Sequence, residues 1–216
     1  MLNVRSFVNV PVTSNCYVLF DKDLGKDCII VDPGSRSEND LTAYLTAEGL
    51  IPRFILLTHE HFDHCWGVNQ LVDRYPVPII CSKSCADAVQ NMKRNCSVFY
   101  DNGEGFVIDS GTVSMESIDN VLRFEGYEIR FFKTPGHTDA SISFVTGQYL
   151  FTGDTLINGE RTVTKLPTGS VEKLKESMSL YAGMKGRGYR VFPGHGKEFD
   201  RDGYDLSKMI ISETSR

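Results

Sequence analysis

The sequence lacks any apolar run approaching 18 residues, which excludes a membrane-spanning helix. Its start, MLNVRSFVNVPVTSN, lacks the basic opening and apolar stretch of a leader peptide. It also lacks basic clusters. The cationic runs Lys93-Arg94 and Lys185-Gly186-Arg187 are short and the formal net charge is −5. A nucleic-acid partner therefore has little electrostatic support and is not expected. There is no internal repeat and no low-complexity segment. Six cysteines are present, Cys16, Cys28, Cys65, Cys81, Cys85 and Cys96. Without a leader they read as reduced thiols of a cytoplasmic protein, not as disulfides. Cys81 and Cys85 have no second pair or nearby histidine to complete a zinc knuckle. What remains is one domain over residues 1–216, long enough to bury a substantial core. Nothing in it specifies an oligomeric state.

Turn signals recur at short intervals, and strands alternate with helical stretches. Residues 15–20 and 27–31 predict a hairpin, stopped by Asp32-Pro33-Gly34. A helix is expected over 38–48, with Leu41, Tyr44 and Leu45 on one face. Phe54-Ile55-Leu56-Leu57 is an apolar strand of the buried kind, running straight into Thr58-His59. Helices follow over 66–74 and 83–94, with a strand at 78–81 between them. Residues 95–118 read as a long irregular section. Two more hairpins are expected, Val121–Phe124 with Tyr127–Lys133 and Ser141–Val145 with Tyr149–Thr152. Ser170 caps a helix over 171–182. Tyr189–Phe192 is a last strand, and Asp205–Ser212 a closing helix. The pattern is that of an α/β (α+β) domain.

The chain has five histidines, and each follows a predicted strand. Thr58-His59-Glu60-His61-Phe62-Asp63-His64 offers four ligand side chains in six residues. In an extended segment His59 and His61 project to one side, Asp63 continues that side, and His64 swings in at the turn. Three further candidates end strands: Gly136-His137, Gly153-Asp154 and Gly194-His195. Glycine before each permits sharp turns and close backbone approach. A chain that repeatedly ends a strand at Gly-His or Gly-Asp is building one site from several loops. Imidazole nitrogen with carboxylate oxygen suits zinc first, with iron and manganese also fitting.

These motifs resemble a known family. T-H-x-H-x-D-H at 58–64, T-P-G-H-T at 134–138, F-T-G-D-T-L at 151–156 and F-P-G-H-G at 192–196 form, in that order, the signature of the metallo-β-lactamase superfamily. The match is nearest its glyoxalase II-like (hydroxyacylglutathione hydrolase-like) branch and covers about residues 13–199. The resemblance implies a four-layer αββα sandwich with the site along one edge of two sheets. It implies two divalent metal ions, one held by His59, His61 and His137, the other by Asp63, His64 and His195, with Asp154 bridging. Such a pair lowers the pKa of a shared water to roughly 7, giving a metal-bridging hydroxide for attack on a carbonyl. Asp63 and Asp154 are then the catalytic carboxylates. Thr58, Asp32 and Thr138 are candidates for orienting the imidazoles.

Asp154 together with Asp63-His64 argues against a dedicated β-lactamase. The segment that reads G-R-x-D-L-P-G-G in thioesterase-like relatives is here Gly159–Gly169. Lys165 stands there in place of an acid. Arg161 and Lys165 are candidate contacts for an acidic substrate. About twenty residues follow His195, so glutathione contacts from a C-terminal helical domain are not expected. The expected function is hydrolysis of a thioester or related small acyl compound. The alternatives are an iron-dependent persulfide dioxygenase-like oxidoreductase and, from another class, a non-catalytic metal-stabilised module.

Overall fold

The computed structural model describes residues 1–100, 102–109, 115–117 and 121–209. Strands β1 (Asn3–Val8), β2 (Asn15–Phe20), β3 (Asp27–Val31), β4 (Ile51–Leu56), β5 (Ile79–Cys81) and β6 (Met115–Ser117) form one sheet in sequence order. Strands β7 (Val121–Phe124), β8 (Tyr127–Lys133), β9 (Ile142–Thr146), β10 (Tyr149–Gly153), β11 (Arg190–Pro193) and β12 (Phe199–Asp200) form the other, in the reverse order across it. The helices are α1 (Asn39–Glu48), α2 (Phe62–Cys65), α3 (Val68–Arg74), α4 (Lys83–Ala88), α5 (Ser97–Tyr100) and α6 (Val171–Ala182).

Strand alternation explains the layers. Tyr17, Leu19, Ile29, Val31, Leu56 and Ile80 point from the first sheet into a core shared with Phe131, Phe144, Phe151 and Phe192 of the second. The intervening residues of the first sheet, Val18, Ile30, Ile55 and Ile79, turn the other way and meet Leu41, Leu45, Val68, Leu71 and Cys85. Leu150 and Val191 turn outward from the second sheet onto Leu174, Met178 and Tyr181 of α6. Helix, sheet, sheet, helix: the fold is the αββα sandwich, and strands β2, β3, β9 and β10 are buried on both faces as a doubly covered sheet requires.

The hairpins pair as expected, Tyr17 opposite Val31, Leu122 opposite Ile129, and Leu150 opposite Val145. Helix α6 begins where the Ser170 side chain accepts from the Lys173 amide. Other expectations need correction. The 83–94 helix stops at Ala88, because Asn91 Oδ1 accepts from the Lys93 and Arg94 amides and closes a local turn in place of helical bonds. The 66–74 helix starts later, at Val68. The closing helix is a short 3-10 turn over Leu206–Met209, and residues 210–212 lie outside the described residues. Within 95–118, α5, β6 and the buried Ile108 add order to a section read as irregular, of which residues 101, 110–114 and 118 lie outside the described residues. All six cysteines are buried and free. Among the described residues no helix is long and apolar enough to cross a membrane.

Candidate metal centre

Each ligand candidate sits just past the end of a strand, at one edge of the sandwich. Strand β4 delivers Thr58-His59-Glu60-His61, and His61 is the N-cap of α2. The chain therefore turns helical at Phe62, where continued extension was expected. That turn takes Asp63 away from the side of His59 and His61 and sets it beside His64 and His195. His137 follows β8, Asp154 follows β10 and His195 follows β11.

The seven side chains fall into overlapping sets whose ligand atoms lie within 4.8 Å of one another: His59, His61 and His137; His59, His64 and Asp154; Asp63, His64 and His195. Asp154 joins the sets. Its Oδ1 lies 3.3 Å from His64 Nε2, and its Oδ2 lies 3.5 Å from His137 Nε2 and 3.4 Å from His195 Nε2. Asp63 Oδ2 lies 3.3 Å from His195 Nε2 and 3.6 Å from His64 Nε2.

Four imidazoles are oriented through Nδ1. His59 Nδ1 meets Thr58 Oγ1 at 3.1 Å, His64 Nδ1 meets Asp32 Oδ2 at 3.1 Å, His137 Nδ1 meets the Val163 carbonyl at 2.8 Å, and His195 Nδ1 meets the Thr13 carbonyl at 3.1 Å. Each contact leaves Nε2 for the interior of the cluster. His61 reverses this, its Nδ1 facing His137 Nε2 at 2.8 Å. Asp32 does further work, accepting from the Thr58 amide at 2.8 Å and the Thr58 hydroxyl at 2.6 Å. Thr138 orients no imidazole; its hydroxyl donates to the buried Glu60 carboxylate at 2.9 Å.

The glycines admit this crowding. A Cβ on Gly194 would lie 2.0 Å from Asp154 Oδ1 and 2.9 Å from His64 Cε1. Gly153, at φ +49°, passes so close to Thr58 that a Cβ would fall 2.5 Å from its hydroxyl.

The cluster fits a cation. Five buried side-chain nitrogen or oxygen atoms among the described residues lack a hydrogen-bond partner. Four of them belong here: His59 Nε2, His61 Nε2, His64 Nε2 and Asp154 Oδ1. Native structures satisfy nearly all buried polar groups, so such a concentration marks a place for an ion. His64 Nε2 and Asp154 Oδ1 are close without hydrogen-bond geometry.

Charge separates the two ends. Burial, with neighbouring histidines, holds His59 well below the usual imidazole range and His61 down to about 3, so both are neutral donors. Burial alone would lower His64 and His195 too. The carboxylates of Asp154 and Asp63 outweigh it, raising His64 well above its ordinary value and His195 to about 10. In return His64 and His195 overcome burial and pull both carboxyls down, Asp154 far below the usual range. Two buried carboxylates thus demand positive charge, which two protons or a metal supplies.

The open side is also defined. The side chain of His195 is 22% exposed, those of Asp63 and Asp154 11% and 10%, and that of His64 is fully buried. Arg161 and Lys165 are both exposed. Their segment reaches the centre through Val163, but Arg161 lines a cavity of about 530 Å³ with Asn158, Glu160 and Tyr204, and none of the seven ligand candidates lines it.

Residues 9–195 match the family model described as Metallo-beta-lactamase superfamily. The chain belongs to this superfamily. It is 32% identical to a hydroxyacylglutathione hydrolase of Hamiltonella defensa over 70% of this chain and 51% of that one. It therefore spans about half the length of that relative. It is 31% identical to a probable metallo-hydrolase of Methanocaldococcus jannaschii over 92% of this chain and 95% of that one. Among solved structures, the BLEG-1 B3 metallo-β-lactamase superposes with a TM-score of 0.83 at 26% identity, covering 92% of this chain and 94% of that one.

Proposed function

We propose that this protein is a metal-dependent hydrolase of thioesters or related small acyl compounds, with a dinuclear centre. The observation that carries the reading is the position of Asp154 between the two halves of the ligand set: its Oδ1 faces His64, and its Oδ2 faces both His137 and His195. His59, His61 and His137 would hold one ion, Asp63, His64 and His195 the other, and zinc, iron or manganese suits these donors. When bound, such ions supply Lewis acidity toward a carbonyl and bring the acidity of water near neutrality.

The chain's own groups do the rest. Thr58, Asp32 and the Val163 and Thr13 carbonyls fix the imidazole rings before substrate arrives, so no reorientation is required later. Asp63 Oδ2, at the open edge, is placed to hold a proton passing to or from the reacting group. Both carboxyls stay ionised in spite of burial because His64 and His195 depress them. The thiol that follows His64 in the chain, Cys65, is no nucleophile: it is fully buried, held against the Glu60 carbonyl at 3.4 Å, and burial raises it well above its ordinary range. The branch likeness, with a hydroxyacylglutathione hydrolase at 32% identity, supports thioesters as the acyl class.

The test is release of free thiol from S-lactoylglutathione by metal-replete protein, with Asp154→Ala alongside. Turnover abolished in the variant is the expected result. Metal-replete protein that releases no thiol would overturn the thioester reading. A chromogenic β-lactam, run in parallel, reports whether amide hydrolysis takes its place.

A further inference from the structure

Four aromatic rings, Phe62, Trp66, Tyr100 and Phe106, form a cluster joined to the ligand motif at Phe62. Phe62 lies between the ligand candidates His61 and Asp63 and is only half-buried. Its ring meets Tyr100 at 4.8 Å between centroids and Trp66 at 5.4 Å. Trp66 meets Tyr100 edge-on at 5.8 Å and stacks on Phe106 at 5.5 Å with 16° between planes. The Arg36 guanidinium covers Trp66 at 5.3 Å. Phe106 roots this group at the border of the outer core. The other end is open, with Tyr100 46% and Phe99 72% exposed.

A ring cluster of this size ordinarily closes on itself or joins the core, because aromatic side chains carry large apolar area. This one stays open at Tyr100. It is also rigidly tied to the centre. The Phe62 amide donates to the Asn95 carbonyl at 2.8 Å, Asn95 Nδ2 donates to the Phe106 carbonyl at 2.8 Å, and the Phe106 amide donates to Ser97 Oγ at 2.9 Å. The segment bearing Tyr100 is thus fastened to the motif that bears Asp63. The exposed Tyr100 ring, held against Phe62, which is itself one residue from two ligand candidates, presents a ready face for stacking or edge contact. Its free face is apolar and flat, and the Arg36 guanidinium already covers Trp66, so a flat apolar group fits the open end.

We propose that Phe62, Trp66 and Tyr100 form the acyl subsite, which selects substrates with an aryl or comparably bulky apolar acyl group over small ones. This rests on the acyl-hydrolase reading above. Tyr100 is the specificity-determining residue, since its ring is the most exposed of the three.

The experiment compares two thioesters of N-acetylcysteamine, S-phenylacetyl and S-acetyl, which share a leaving thiol. Their ratio of kcat/KM is measured in the wild type, Tyr100→Phe, Tyr100→Ala and the remote control Leu24→Ala. The wild type should favour phenylacetyl at least tenfold, a difference of 1.36 kcal/mol in transition-state binding. Tyr100→Ala should erase most of that ratio, Tyr100→Phe should keep it, and Leu24→Ala should leave it unchanged. An absent preference, or a ratio untouched by Tyr100→Ala, overturns the subsite. Should neither thioester be cleaved by metal-replete protein, the acyl-hydrolase reading fails and the wall is decided by binding. Trp66 is the only tryptophan, so its emission reports the wall directly. A saturable change with phenylacetate, absent with acetate and weakened in Tyr100→Ala, supports an apolar subsite. No change with phenylacetate overturns it.

Discussion

Replacing Asp32 by asparagine should uncouple the metal centre from the fold that orients it. Asp32 sits at φ +50°, a conformation that asparagine adopts as readily as aspartate, so the backbone is unaffected and only the side chain is tested. One oxygen accepts from the Thr58 amide and would remain an oxygen. The other faces both Thr58 Oγ1 and His64 Nδ1 and would become an NH2 group. The Thr58 hydroxyl can rotate and accept from it. The His64 Nδ1–H cannot, and its bond to a buried carboxylate is lost. Hydrogen bonds to charged groups contribute about 1.5–3 kcal/mol. Loss of such an orienting partner weakens metal affinity by roughly 10–100-fold, or about 1.4–2.7 kcal/mol, the same range reached independently. At about 2–4 °C per kcal/mol for a chain of this size, the midpoint should fall by about 3–12 °C. Competition against a chelator of known affinity gives the first number and thermal unfolding the second. Metal affinity within twofold of wild type would refute the claim that Asp32 holds His64 in place.

Further outcomes follow from other contacts. Gly194→Ala would drive a Cβ to 2.0 Å from Asp154 Oδ1, so metal content by elemental analysis should drop below that of wild type even if the fold survives; full occupancy would show that the bridge tolerates displacement. Burial raises Glu38 from 4.5 to about 7, so its folded form takes up a proton that the unfolded form releases, and stability falls as pH rises from 4.5 through 7. At about 1.36 kcal/mol per pH unit the fall is about 3 kcal/mol. Glu38→Gln should remove that slope, and parallel pH profiles in denaturant would contradict it. His64 and His195 have raised pKa values in the metal-free protein, so metal must displace their protons, and affinity should strengthen as pH rises toward about 10. Their own contribution to metal-free stability runs the other way, present below 6.5 and lost as pH climbs through the folded value. A pH-independent metal affinity would rule out that proton displacement.

The sequence showed the two sheets well wherever strands are buried on both faces, because Asn15–Phe20, Asp27–Val31 and Ile142–Thr146 leave almost nothing exposed. It concealed β1 for the opposite reason. Asn3–Val8 lies on the sheet edge with most of its residues exposed, so no apolar alternation marks it. Strand β12 is two residues long and has no pattern to read. The ligand candidates were legible because Gly-His and Gly-Asp end three strands and His59-x-His61 ends a fourth. Their supports were less so. The Val163 and Thr13 carbonyls belong to the backbone, and any residue could carry them. Glu60 was visible in the motif, but its burial against Thr138 depends on two loops 78 residues apart.

Those supports explain why the centre and the fold cannot be separated. Asp32 follows β3 and Thr58 follows β4, and the bond between them clamps two parallel strands at the edge where the ligands emerge. The same carboxylate orients His64. On the second sheet, the Gly194 amide donates to the Gly153 carbonyl at 2.8 Å, joining the turns that carry His195 and Asp154. The Asn15 amide donates to the Gly194 carbonyl at 2.6 Å, which ties the first sheet to the second at the same point. A cation drawn to Asp154 would therefore pull on both sheets at once. Binding free energy of that kind appears as folding stability, about 4 kcal/mol at a thousandfold excess over Kd. Chelation of metal-replete protein should lower its midpoint by several degrees, and it should lower that of Asp154→Ala much less.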